Sequence, residues 1–260
     1  MTSKATNAFG VTLVVTCSLY LWARLYTLTD WGLLALGPLA ALLFTGLFWA
    51  SAAAFRASIT VAVKGGSPLA WLITGKLRAI LGAATFTVLA VPLLAWHVIS
   101  STYPELLLLP FLCFSAALIF SFSERKFLDH LTPPFARMTA LSTGTLVVAG
   151  FFIPVLAWAD WNFAAHSGEI RTVGLEQALE LGLEQMPKRR GWVAEIMAPL
   201  YALEYGKLWF VVQTGTPKWF SFWYSIDAAL ISVFAARTSA VLMSFVSVEK
   251  GGIDDRNITS

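Results

Sequence analysis

Charge is what this chain has least of. Only 13% of its 260 residues are Asp, Glu, Lys or Arg, about half of the ~25% usual in a soluble domain. The net charge of +3 is small, and the bases sit at the ends of apolar stretches. That distribution sets membrane topology and excludes a nucleic-acid-binding surface. Cysteine is scarce as well. Cys17 and Cys113 both fall inside apolar stretches, where they read as small packing residues and not as a disulfide. His97, His130 and His166 are the only histidines, and none has the spacing of a metal pair. The sequence also lacks a glycine-rich phosphate loop, a zinc pattern and a nucleophile elbow. GGSP at Gly65–Pro68 and STGT at Ser142–Thr145 have too little around them to count. From these absences we expect no catalytic residues, no metal, no cofactor and no enzyme.

What is present is apolar length. The chain is 57% hydrophobic, and the residues cluster in stretches of about 20, enough to cross a ~30 Å hydrocarbon layer. Six spans are predicted: Phe9–Thr29, Gly32–Phe55, Ala79–Ser100, Pro104–Ser123, Thr139–Asp160 and Pro217–Ala236. The leading MTSKATNAFG is short and polar and no small-residue cleavage site follows, so the first span reads as retained. The fold class is therefore an all-α integral membrane protein. A five-span bundle over residues 1–160 is followed by a helical segment at 161–216, a last span at 217–237, and an amphipathic helix with a polar tail at 238–260.

Loop charge orients this arrangement. Arg56, Lys64, Lys76 and Arg78 follow the second span, and Arg125, Lys126 and Arg137 follow the fourth. The turns TLTDW and SSTYPE, after the first and third spans, carry acids and no bases. The positive-inside rule puts both termini and the basic loops in the cytoplasm, and the 161–216 segment outside it. Of the eleven tryptophans, Trp31, Trp71, Trp96, Trp158, Trp161, Trp219 and Trp223 fall near span ends, as in an aromatic belt.

Within the outer segment, Leu175, Leu179, Leu183 and Met186 form one helical stripe. They are expected to face a partner or an interface. Glu176, Glu180 and Glu184 lie beside them as a solvated row, and Pro187 ends the helix. The next piece, 191–212, is apolar but interrupted by Glu195, Glu204 and Lys207. It is expected to lie at the outer interface, because a seventh span would invert the C-terminus.

A short repeat is also visible. VPLLAWH at Val91–His97 matches IPVLAWA at Ile153–Ala159, with Gly82 over Gly144; AALIFSFSER at Ala116–Arg125 matches AALISVFAAR at Ala228–Arg237. It suggests repeated in–out–in hairpins. In that register Arg237 matches Arg125 at a cytoplasmic helix end, and Asp227 lies near mid-membrane. A lone mid-membrane carboxylate is costly, so Asp227 is expected to pair with Arg24 or to serve as an ion site. Ala228, Ser232, Ala236 and Ala240, at four-residue spacing, form the expected helix-packing face.

The function expected from this reading is a non-enzymatic, multi-pass component of a larger assembly in a bacterial inner membrane, such as a secretion, conjugation or envelope complex. Its partners would be the lipid bilayer and other membrane or envelope proteins, as a homo- or hetero-oligomer, with no nucleic acid. The rival is a small transporter or channel built on the Asp227/Arg24 pair. A membrane enzyme would need Glu176, Glu180, Glu184 and His166 to converge.

Overall fold

The computed structural model describes residues 2–62, 76–101, 103–164, 168–188, 191–214 and 217–257. Lys64, Gly65–Pro68, Trp71, His166, Arg189 and Arg190 lie outside them. All the regular elements are helical: α1 (Thr2–Tyr26), α2 (Gly37–Ala62), α3 (Lys76–Ser100), α4 (Tyr103–Leu128), α5 (Pro133–Ala164), α6 (Leu175–Glu184), α7 (Trp192–Thr214) and α8 (Pro217–Asn257). Short 3-10 turns at Asp30–Leu36 and Gly168–Arg171 precede α2 and α6.

Among the described residues six helices are long and apolar enough to cross a membrane, over Lys4–Tyr26, Asp30–Ser58, Lys76–Ser100, Tyr103–Leu128, Pro133–Ala159 and Ile226–Val246. Helix is the form such segments must take, since lipid offers no partner to a free backbone group. The same constraint acts on side-chain hydroxyls. Thr12, Thr16, Ser121 and Thr145 are buried, and each donates to the carbonyl one turn back within its own helix.

The two ends of the bundle differ in character. At one end Lys4 Nζ donates to the Ser121 carbonyl at 3.3 Å, Arg137 pairs with Glu124 at 3.0 Å, and the Arg78 guanidinium lies 4.9 Å from the Phe55 ring centre. This is the basic end. At the other, Trp22 Nε1 donates to the Ala95 carbonyl at 3.2 Å and the Tyr20 hydroxyl to the Leu106 carbonyl. The α6–α7 hairpin sits on this second end, where Tyr201 of α7 meets the Trp96 ring edge-on at 4.9 Å.

Helix α8 is the axis of the bundle and packs on α1, α2, α3, α4 and α5. Its Ala228, Ser232, Ala236 and Ala240 are all buried. Small side chains let neighbouring backbones come close without leaving voids. Gly46 of α2 also lies close against α8: a Cβ there would stand 2.7 Å from Val241 Cγ1.

Three expectations fail against this arrangement. Thr238, Ser239, Ala240, Val241, Leu242, Met243 and Ser244 are buried inside the bundle, so residues 238–244 do not belong to an amphipathic surface helix. Arg237 therefore lies within the last span and not at its end. The aligned hairpins also pack differently: α5 lies extensively along α8, whereas α3 packs on α2 and not along α4. Finally, Cys17 is exposed and only Cys113 is a buried packing residue; both are free thiols.

Candidate functional site

Leu200, Leu203, Glu204 and Lys207 recur on α7 at intervals of three and four residues, which puts them on one helical face. That face turns toward the bundle. Together with Leu93, Trp96 and His97 of α3, Glu105 of α4, Leu156 of α5 and Asp227, Ala228 and Ile231 of α8, it encloses a cavity of about 230 Å³. The cavity brings one imidazole, one ammonium and three carboxyl groups to the hairpin end of the bundle.

Lys207 holds the site together. Its ammonium lies 2.8 Å from Glu204 on its own helix and donates a hydrogen bond to Asp227 Oδ2 on α8. Burial pulls the Lys207 ammonium toward the neutral form, but Glu204 and Asp227 together outweigh it and hold the group above the usual lysine range. A raised amine stabilises the folded arrangement below its unfolded value of about 10.4 and loses that contribution as pH rises past it. Docking of the hairpin is accordingly expected to be flat from neutral pH to about pH 10 as far as Lys207 is concerned, and to weaken above that. Hydrogen exchange of α7 amides, corrected for intrinsic rates, measures this.

Asp227 is thus paired with Lys207 and not with Arg24. Arg24 is exposed near the end of α1, and among the described residues no ion pair joins it to Asp227. Depth is corrected with the partner. Asp227 shares the cavity with Ser100 and Glu105, at the ends of α3 and α4, so it sits at the hairpin end of the bundle with its side chain 48% exposed. Arg237 is the submerged charge. Its guanidinium lies 5.8 Å from the ring centre of Phe86, ten residues into α3, or about 15 Å from the basic end. Contact with an aromatic face offsets about 0.5–2 kcal/mol. A mid-membrane arginine costs about 2.5–3.5 kcal/mol even on insertion scales. The ring does not balance the charge.

The hairpin is fastened at several points. Trp209 Nε1 donates to the Val173 carbonyl at 2.9 Å and Gln213 Nε2 to the Arg171 carbonyl at 3.3 Å. Burial, and then the neighbouring Tyr26, push the Tyr201 hydroxyl above the usual tyrosine range. The face of α6 against α7 is formed by Ala178 and Gly182, both buried, with Leu179 of the predicted stripe reaching Gly206 of α7. Leu175 and Leu183 of that stripe are exposed, and Leu179 and Met186 are partly buried. Glu176, Glu180 and Glu184 are exposed, and among the described residues no group of three or more metal-ligating side chains could hold an ion.

Sequence reasoning missed Lys207, Glu204, His97 and Glu105 as cavity residues. A usable signal existed for the first two, because Glu204 and Lys207 share a helical face with Leu200 and Leu203. Compared with models of known protein families, with curated proteins and with solved structures, the chain matches none.

Proposed function

We propose that the chain is a non-enzymatic, multi-pass subunit of a larger membrane assembly, of the secretion, conjugation or envelope type, in a bacterial inner membrane. In this reading both termini and the basic end face the cytoplasm, and the α6–α7 hairpin is the part displayed outside. One observation carries it. The hairpin is fastened to the bundle by Lys207 and Tyr201 and braced internally by Trp209, yet Leu175 and Leu183 of α6 stay uncovered. A fixed element presenting an apolar row is suited to docking a partner. Affinity purification in mild detergent tests this. The particle is expected to exceed the 28.4 kDa chain and to fall to the lone chain when Leu175→Ser and Leu183→Ser are combined. A monodisperse lone wild-type chain would overturn the reading.

The cavity favours a second reading, a small transporter or channel in which Asp227 works with Lys207 in place of Arg24. It requires Asp227→Asn to abolish flux in vesicles without lowering the amount of folded protein. If flux persists, or if the variant fails to accumulate, Asp227 is a fastening group.

A further inference from the structure

Arg237 stands twelfth in the 21-residue span Ile226–Val246. Its guanidinium rests on Phe86, and among the described residues it makes no ion pair or hydrogen bond. The side chain is partly exposed, and Phe86 beneath it belongs to α3, whose outer side together with part of α8 is an uncovered strip. Gly82, Thr85 and Leu89 of α3 and Leu230 of α8 are exposed along that strip, and nothing lies within 4 Å of where a Gly82 Cβ would be. The headgroup layer is not a natural counter-ion, because the guanidinium lies across the middle of α3 and not at its basic end. An uncovered strip that opens at a glycine and lies beside a half-buried cation suits a helix that approaches closely and carries the opposite charge.

We propose that the α3–α8 strip docks a transmembrane helix of a different protein, one carrying an aspartate or glutamate at mid-membrane that pairs with Arg237. A second copy of this chain cannot supply the acid. The acidic residues within its six spans are Asp30, Glu105, Glu124 and Asp227, and all of them lie near span ends. The proposal rests on the assembly reading and names the chemistry of one partner.

Site-specific photo-cross-linking tests it, with a photoreactive amino acid at Leu89 in the full chain in its own membranes. The expected result is an adduct with a transmembrane segment bearing a central Asp or Glu. Its yield should drop about tenfold or more in Arg237→Met and stay near wild type in Arg237→Lys. Arg237→Met puts an apolar side chain into an apolar span, so the chain itself should accumulate normally, and the Lys variant provides a check if it does not. Adducts with lipid alone, adducts with a helix lacking an acid, a yield indifferent to Arg237→Met, or no adduct would each overturn the proposal. If the assembly dissolves with the Leu175→Ser/Leu183→Ser chain but survives Arg237→Met, the assembly reading stands and this inference fails.

Discussion

Gly182→Val is expected to pull α6 away from α7. A Cβ at this position would stand 2.5 Å from the Tyr201 carbonyl oxygen and 3.0 Å from Tyr205 Cβ. The first obstacle is backbone, which cannot rotate aside as a side-chain tip can, so the helices must separate. Overpacking of this kind costs about 1–3 kcal/mol. Removing a glycine from a helix interior returns up to about 1 kcal/mol, and less for a β-branched residue. The clash therefore wins, by about 2 kcal/mol, which is about a 30-fold rise in α6 amide exchange if α6 opens locally. Glu180→Val, on the exposed side of the same helix, is the control and should leave exchange from the α7 contact nearly unchanged. Equal protection in the Gly182 variant and wild type would mean that the two helices do not meet at this glycine.

Lys207→Glu is expected to release the whole hairpin from the bundle. The substitution removes the ammonium between Glu204 and Asp227 and puts a third carboxylate in its place. The Lys207 side chain is 21% exposed and Asp227 48%, so water screens the pair and its loss alone is worth about 1 kcal/mol. Like-charge repulsion adds to this, giving about 2 kcal/mol in all. Adding Asp227→Lys to Lys207→Glu restores an ion pair with reversed polarity and should recover most of the docking, which a general folding defect would not allow. The readout is protease cleavage within 185–192, fast in the single variant and slow in the double. A double variant as labile as the single would contradict the pairing.

How far the sequence carries this fold depends on the helix. The first five spans are legible because each is a long apolar stretch closed by turn residues or charges, such as Thr29–Asp30, Ser100–Ser101 and Arg125–Lys126. The last span is displaced in the sequence reading by nearly half of its length because Arg237 looks like an end. Hydropathy scores a helix as if it were alone. The burial of Thr238, Ser239 and Ser244 depends on five surrounding helices that no local window contains. The repeat compounds the error, since matching Arg237 to Arg125 assumes equal depth in hairpins that pack differently. Asp227 stands out in the sequence as an acid inside an apolar stretch, and the structure pairs it with Lys207. Its partner lies on α7, a helix read as interfacial, and the sequence offers no means of preferring Lys207 to Arg24 across that distance. What the α6 stripe does not reveal is where α7 packs. Leucines mark the apolar side of the helix, but the close contact with α7 is made where side chains are smallest, at Ala178 and Gly182.

The central claim is the relative depth of the two charges on α8, and nitroxide depth measurement tests it most directly. Single cysteines at 227 and 237, placed in a chain with Cys17 and Cys113 replaced, are spin-labelled in lipid vesicles and compared for collision with oxygen and with a water-soluble nickel chelate. The label at 237 is expected to be favoured by oxygen, as near mid-membrane, and the label at 227 to be reached readily by nickel. A label at 227 as deep as, or deeper than, the one at 237 would contradict the claim.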